Sequence, residues 1–462
     1  MAKLTPVKPG DIIELDVHGL GHTGEGVGRY QGLAIFVPGA LPDERVRAVI
    51  SQVKKSYARG KLIEVVTRTT DRILPRCPAA ADCGGCQLQH LDYQAQLTHK
   101  TTLVKSALTR IGGLNDVPVR PTIGMEYPWH YRNKIHLHAT QSAGRIKLGF
   151  FAEGTHQLTA DISEQSCLLV NQEIIEVVAA VEELLNSFKI KSYDWESKQG
   201  LLRHVMIRRG YATGEIMVVL VTTAENWLTE QELAREIVNR HPRVVSVIRN
   251  INTNPGRLIL GPQNQVLAGK DSITDRLCGL KFKISAASFY QVNPRQTEVL
   301  YNKALEFANL KGDETVVDAY CGIGTIASLL ARHAGSVIGL EIVPDAVTDA
   351  RENARLNNLF NIEFFNGSVE RLLPEMVARG LRPDLVVLDP PRKGCEKEVL
   401  EAILKTQVPR VVYVSCDPAT LARDLGILAG AGYEPAEVQP VDMFPWTCHV
   451  ECVVWLKRKH SP

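Results

Sequence analysis

From about residue 280 onward, apolar runs alternate with amphipathic stretches, and this alternation constrains the fold more than any other feature of the chain. Strands are expected at residues 315–319, 336–341, 361–366, 384–388 and 410–415, with helices between them, for example at 344–357 and 397–405. Strands that are apolar throughout are buried on both faces, and helical crossovers supply the cover. The expectation is a doubly wound, mostly parallel α/β sheet. Ligands in such sheets bind at the carboxyl ends of the strands.

The chemistry-bearing residues of this half gather at those ends. The run Asp318-Ala-Tyr-Cys-Gly-Ile-Gly-Thr325 directly follows the first strand. Gly322 and Gly324 let the backbone approach a ligand closely. The second strand ends in Glu341, nineteen residues after Gly322, where an acid can hold the two hydroxyls of a ribose. Ala327 stands where a dinucleotide fingerprint has its third glycine, a tolerated replacement. Asp318 before the loop and Asp389-Pro390-Pro391 after the fourth strand favour S-adenosylmethionine over a nicotinamide dinucleotide. A tight turn in a sheet without a site is the plainer alternative.

Arg392 follows the two prolines where amine methyltransferases place an aromatic residue, which weighs against amine methylation. Cytosine carbon-5 enzymes place their nucleophilic cysteine immediately after such a proline, and none stands there; Cys395 comes several residues later. The candidate thiol is Cys416, after the fifth strand in Ser415-Cys416-Asp417-Pro418. The candidate base is Glu451 in His449-Val450-Glu451. Such a pair suits methylation of a poor carbon nucleophile. A thiolate adding to carbon 6 of uracil raises electron density at carbon 5, which takes the methyl group, and a base then removes the carbon-5 proton. The plainer readings are an inert buried cysteine and a salt-bridged strand glutamate. Asp417 would oppose a thiolate if its carboxylate faced the sulfur. An enzyme acting on a base must expose it, and Phe289, Tyr290, Phe444 and Trp446 are candidate stacking or wedge residues, with core positions as the alternative.

The 462 residues allow roughly two to four domains. Short β-rich runs at 11–18, 33–38, 44–53 and 62–67, punctuated by glycines, suggest a small barrel of the oligonucleotide-binding type. Net charge is only +2, but Arg45, Arg47, Lys54, Lys55, Arg59 and Lys61 form a stripe without an intervening acid. The stripe can bind phosphate or be a solvated face. A helix is expected over 93–111, with Leu97, Val104 and Leu108 on one face and Gly112-Gly113 ending it. Residues 130–265 mix strands (134–139, 204–208, 216–222, 244–250) with helices (174–188, 230–240). No apolar run is long enough to span a membrane and the N-terminus lacks an apolar signal core, so a cytoplasmic protein is expected. Ten cysteines in that compartment point to metal ligation or catalysis rather than disulfides. Cys77, Cys83 and Cys86 are compactly spaced, and Cys167 lies in a separate polar segment. Four thiolates can hold zinc or an iron–sulfur cluster, and the spacing does not separate the two. It differs from the Cys-x3-Cys-x-x-Cys of radical enzymes.

Taken in order, these pieces resemble the bacterial RNA uracil-5-methyltransferases acting on 23S ribosomal RNA, essentially end to end. The resemblance is carried by Gly21-His-Thr-Gly-Glu-Gly-Val-Gly-Arg29, the four cysteines, Trp129-His-Tyr-Arg-Asn-Lys134, Phe289-Tyr-Gln-Val-Asn293, Asp318–Thr325, Asp389–Arg392, Ser415–Pro418 and His449–Glu451. It implies a class I S-adenosylmethionine-dependent methyltransferase with an N-terminal TRAM barrel and a central α+β domain carrying a metal cluster. It implies cofactor contacts at Gln291, Tyr320, Glu341 and Asp389, Cys416 as nucleophile and Glu451 as base. It also implies a 4Fe-4S cluster rather than zinc on Cys77, Cys83, Cys86 and Cys167. The implied domains are 1–70 (barrel), 71–92 with 125–275 (central), and 93–124 with 276–462 (catalytic), so that the helix at 93–111 packs on the catalytic domain. The Asp-Pro-Pro-Arg-Lys-Gly form is most similar to the Gram-positive branch, where one enzyme can methylate two ribosomal uridines. A monomer is expected. Relatives acting on transfer RNA usually lack the barrel and the cysteines, which favours ribosomal RNA. The competing expectations are a transfer RNA uracil-5-methyltransferase, an amine or cytosine methyltransferase, and a noncatalytic RNA-binding assembly factor.

Overall fold

The computed structural model describes residues 5–151, 158–162, 167–254, 256 and 258–459. Three bodies of sheet follow one another along the chain. The first is a closed barrel of β1 (Ile12–Leu20), β2 (Gly26–Tyr30), β3 (Leu33–Val37), β4 (Arg45–Val53) and β5 (Tyr57–Thr67), in the order β1-β2-β3-β5-β4. Ile13, Leu15 and Val17 alternate inward along β1, as a period of two requires. Strand β2 escapes the sequence reading because its glycines look like turn punctuation. They are needed for close approach instead: a Cβ on Gly28 would stand 2.3 Å from the Asp16 carbonyl oxygen. The basic stripe is also less positive than its sequence. Arg45 and Arg47 pair with Glu14, Arg47 also with Glu64, and Arg59 with Glu25.

Helix α1 (Tyr93–Arg110) starts on Asp92, whose carboxylate accepts the Gln94 and Ala95 amides. Its buried face is Gln96, Lys100, Val104 and Leu108, not the expected row through Leu97. The reason is that Gln96 and Lys100 have buried polar partners. Val104 and Leu108 join the apolar core beneath the catalytic sheet.

The central sheet runs β12-β11-β10-β9-β6-β7-β8. It is built from β6 (Lys134–Ser142), β7 (Arg145–Phe151), β8 (Leu158–Asp161), β9 (Leu202–Arg209), β10 (Ile216–Thr222), β11 (Val244–Ile251) and β12 (Gln263–Gly269). Helices α2 (Gln172–Ser187) and α3 (Glu230–Arg240) pack their apolar stripes on one face of it. A hairpin, β13 (Ser272–Leu277) and β14 (Leu280–Ser285), leads into the last body.

That body begins with α4 (Pro294–Ala308) and continues β15 (Thr315–Ala319), α5 (Thr325–Ala331), β16 (Ser336–Glu341), α6 (Pro344–Leu356), β17 (Ile362–Asn366), α7 (Val369–Ala378), β18 (Leu385–Leu388), α8 (Lys397–Thr406), β19 (Arg410–Ser415), α9 (Pro418–Gly430), β20 (Tyr433–Val441) and β21 (Glu451–Arg458). The strand order is β17-β16-β15-β18-β19-β21-β20. The first five pair in parallel, and β21 runs antiparallel between β19 and β20. The order reverses between β15 and β18, and the carboxyl ends there open the crevice in which such sheets bind ligands. Apolar cores lie on both faces of the sheet.

Candidate active site

The turn from β15 to α5 is left-handed at three positions: Tyr320 at φ 68°, Gly322 at 56° and Gly324 at 80°. Gly324 is needed for space as well, since a Cβ there would meet the Phe364 ring at 2.9 Å. Tyr320 is the exception, a bulky residue held where it is disfavoured, as happens at ligand clamps. Its hydroxyl donates to Glu370 at 3.2 Å. Glu341, at the end of β16, accepts the Gly322 amide (2.9 Å) and the Val343 amide (2.8 Å), tying the two loops together. A small cleft of about 30 Å³ opens between β15 and β18, lined by Phe289, Tyr301, Asp318, Tyr320, Gly322 and Asp389 among others. Asp318 is fully buried, and burial pushes its carboxyl well above the usual range, with Asp389 and Glu341 adding. Of the expected cofactor residues, Tyr320, Gly322 and Asp389 line the cleft, whereas Gln291, Gly324 and Glu341 are not in its wall. Gln291 is held through its carbonyl, which accepts the Asn133 side chain at 3.2 Å. Tyr301 escaped the sequence reading; Asn293-Pro294, a helix cap with proline at the first turn, was the signal that could have revealed α4 and its buried face.

Glu451 opens β21, and Cys416 stands one residue past the end of β19, the antiparallel neighbour of β21. The ladder ends where Ser415 pairs with Cys452, so Cys416 and Glu451 are the residues next beyond its last pair. Their electrostatics agree. Burial pushes the Cys416 thiol up to about 12, with Glu451 and then Asp389 adding, and the Arg392 guanidinium pulling it down. Burial raises Glu451, which is 5% exposed, to about 8, with Asp389 adding and Arg392 again opposing. Burial alone lifts Asp389 to about 7; the residue keeps a partly exposed edge at the cleft while its carboxyl is enclosed. Asp417 does not face the sulfur. It caps α9, accepting the Ala419 amide at 2.8 Å and the Thr420 amide at 3.0 Å.

The loop carrying Arg392 is fastened to α9. Thr420 donates to the Arg392 carbonyl, Arg423 to the Lys393 and Cys395 carbonyls, and the Cys395 amide to buried Asp424 at 2.8 Å. The four aromatic candidates separate. Phe289 is 66% exposed beside the cleft. Tyr290 is buried and bonded to Asp275, and Trp446 is buried and stacked on Trp129 at 4.3 Å, so both belong to the core. Phe444 is half-buried, edge-on to His449.

Cys77, Cys83, Cys86 and Cys167 meet around one cavity of about 250 Å³, whose wall also includes Arg132 and Lys134. Burial pushes Cys86 up to about 12, and Cys167, Cys83 and Cys77 add to the shift, so the four thiols lie within electrostatic reach of one another. Residues 163–166 of the polar run before Cys167 lie outside the described residues. Among the described residues, no three or more His, Cys, Asp or Glu side chains form a group that could hold a metal ion.

The strand order and the switch-point cleft define an S-adenosylmethionine-dependent methyltransferase fold. Residues 145–459 match the model of the tRNA (uracil-5-)-methyltransferase family, and residues 6–63 match that of the TRAM domain. An uncharacterized RNA methyltransferase of Halalkalibacterium halodurans is 47% identical, covering 98% of this chain and 99% of its own. One from Clostridium tetani is 45% identical, covering 98% of each. Among solved structures, the Pyrococcus abyssi tRNA (uracil-54, C5)-methyltransferase in complex with S-adenosyl-L-homocysteine is 28% identical with a TM-score of 0.77, covering 96% of this chain and 99% of its own. The chain belongs to the RNA uracil-5-methyltransferase family, with a TRAM domain as its N-terminal barrel. Among the described residues no helix is long and apolar enough to cross a membrane.

Proposed function

We propose that this enzyme methylates carbon 5 of specific uridines in 23S ribosomal RNA, as a cytoplasmic monomer. The observation that carries the chemistry is that Cys416 and Glu451 follow directly on the last pair of the β19–β21 ladder, with the charges of Glu451 and Asp389 acting on the thiol. S-adenosylmethionine, when bound, supplies an electrophilic methyl group; Tyr320, Gly322, Gly324, Glu341, Asp389 and Gln291 are the residues proposed to hold it. The Cys416 sulfur adds to carbon 6 of the uracil, and the electron pair released to carbon 5 takes the methyl group. Glu451 then removes the carbon-5 proton, and the pair left behind expels the Cys416 sulfur. A carboxyl that titrates at about 8 is matched to proton transfer near neutral pH. Arg392 is the cation that favours the thiolate in a site otherwise hostile to it.

Ribosomal RNA is favoured by the Asp389-Pro-Pro-Arg-Lys-Gly394 form. The transfer RNA reading draws on the Pyrococcus abyssi enzyme, which acts on tRNA and matches nearly end to end, so overall architecture does not separate the two. Mapping 5-methyluridine in both RNAs from a strain lacking the gene tests this. Loss from 23S RNA alone is expected; loss from transfer RNA alone overturns the ribosomal assignment.

The four cysteines are proposed to hold a 4Fe-4S cluster. What supports it is the family resemblance and the meeting of the four thiols in the wall of one cavity, since cysteine spacing does not separate zinc from a cluster. Anaerobically purified protein should be brown, with absorbance near roughly 400 nm; a colourless protein with one zinc per chain overturns the cluster. The division into 1–70, 71–92 with 125–275, and 93–124 with 276–462 belongs to the same proposal.

A further inference from the structure

The connection between β20 and β21, residues 442–450, delivers Glu451 to the site, and it is held to an unusual degree. Five consecutive carbonyls are each caught from another part of the chain. The carbonyl of Asp442 accepts Gln296, that of Met443 accepts Asn293, that of Phe444 accepts Lys100, that of Pro445 accepts the Tyr131 hydroxyl, and that of Trp446 accepts the Leu88 amide. Trp446 itself has φ 69°, a strained value for a bulky residue. Such a conformation persists only where the surroundings over-determine it.

At the centre of this net is a buried ion pair. Lys100 and Asp442 are both 0% exposed, with Nζ and Oδ1 2.5 Å apart. The second Asp442 oxygen accepts the Tyr93 hydroxyl at 2.9 Å, and Lys100 also donates to the Phe444 carbonyl at 3.2 Å. The partners are 342 residues apart in sequence. A buried pair of this kind gives little net stability, because removing two charges from water offsets their attraction, and apolar replacements are often neutral or stabilising. What it does fix is geometry.

We infer that Lys100 and Asp442 are positioning residues that lock the 442–450 connection and so hold Glu451 where it can take the carbon-5 proton. The inference rests on the proposed roles of Cys416 and Glu451. Cys416 follows a different strand, β19, so the pair governs the second half of the reaction and not the first. Sulfur addition to carbon 6 is independent of it, while release of the methylated RNA requires it.

The double variant Lys100→Met with Asp442→Asn leaves no buried charge unpaired, and the amide oxygen that replaces the carboxylate still accepts the Tyr93 hydroxyl. Its thermal midpoint is expected to match or exceed that of the parent. Capture of 5-fluorouridine RNA through Cys416 should proceed at the parent rate with KM unchanged. Turnover on ordinary RNA should fall on the order of 10²-fold, the size of a misplacement of about 1 Å, with the covalent RNA adduct accumulating on denaturing gels. Adding Glu451→Gln should cause no further loss, since both act on one step. Unchanged turnover, or capture that slows in parallel with turnover, overturns the inference. If the double variant does not fold, Tyr131→Phe removes one hydroxyl from the net and must show the same split at smaller size; equal rates there overturn it too. Glu451→Gln alone is the reference. Normal adduct release in that variant overturns the base assignment, whereas slow release there with normal release in the double variant overturns the positioning role only.

Discussion

Replacing Glu451 by glutamine should change the reactivity of Cys416 in a way that depends on pH. The two residues follow directly on the last pair between β19 and β21, and the Glu451 charge acts on the thiol. Two unit charges about 5 Å apart at an effective dielectric of about 20 interact by about 3 kcal/mol. Cys416 is only half-buried, and solvent screening trims this to about 1–3 kcal/mol. That is roughly a ten- to hundredfold change in thiolate population. The repulsion exists only when Glu451 is ionised, and its carboxyl titrates at about 8. Below that pH, wild type and Glu451→Gln should therefore alkylate at the same rate. Above it the wild type should fall behind, while both rates continue to rise with pH, the wild-type thiol titrating only at about 12. The assay is iodoacetamide labelling of ligand-free enzyme from about pH 6.5 to 10, with Cys416 followed by peptide mass spectrometry; the two groups titrate as a coupled pair. A rate ratio that is flat across this range refutes the reasoning. So does a wild-type plateau near neutral pH, which would mean a thiolate already formed at rest.

Glu451→Gln should also stabilise the protein, but only above mildly acidic pH. The unfolded side chain releases its proton near 4.5 and the folded one near 8. Between these values the native state holds the extra proton, so its stability falls as pH rises through the window. The variant lacks that penalty, on the order of 3–5 kcal/mol at pH 8 and absent at about pH 4; denaturant midpoints at the two pH values should diverge accordingly. Asp417→Ala should destabilise by about 1 kcal/mol through the lost cap of α9, while the Cys416 alkylation profile stays as it was. A profile displaced towards lower pH would mean that the Asp417 carboxylate faces the sulfur after all.

The sequence made the β15–α5 turn readable because three features coincide within a few residues: an apolar strand, paired glycines, and acids before and after. Strands at 315–319, 336–341 and 410–415 fell where apolar runs begin at or just after a charged or glycine residue, Glu314, Gly335 and Arg410. Cys416 and Glu451 could be paired by chemistry, but not by geometry, because β20 and β21 had no clear signal. Pro435 and Pro440 interrupt the first of them, and proline argues against a strand. Local pattern also misled about α1: periodicity selects Leu97, while the buried row passes through Gln96 and Lys100, each of which has a partner more than 300 residues away. Asp417 looked like an obstacle to the thiol, since sequence adjacency says nothing of side-chain direction. The Asp-Pro at 417–418 is a helix start, and the cap explains both residues. The basic stripe failed for a related reason. Its acids, Glu14, Glu25 and Glu64, lie outside the stripe and reach it only when the barrel closes.

The long span between Lys100 and Asp442 has a consequence for synthesis. Helix α1 leaves the ribosome early, yet the carboxylate that receives Lys100 emerges 342 residues later than Lys100 itself. At about 5–20 residues per second the delay is roughly 20–70 s. Throughout it Lys100 lacks this counter-ion, and the apolar floor that Val104 and Leu108 join is still incomplete. Docking of α1 therefore waits for the last strands of the chain. The Lys100–Asp442 pair that ties down the base loop can close only after residue 442 has been made.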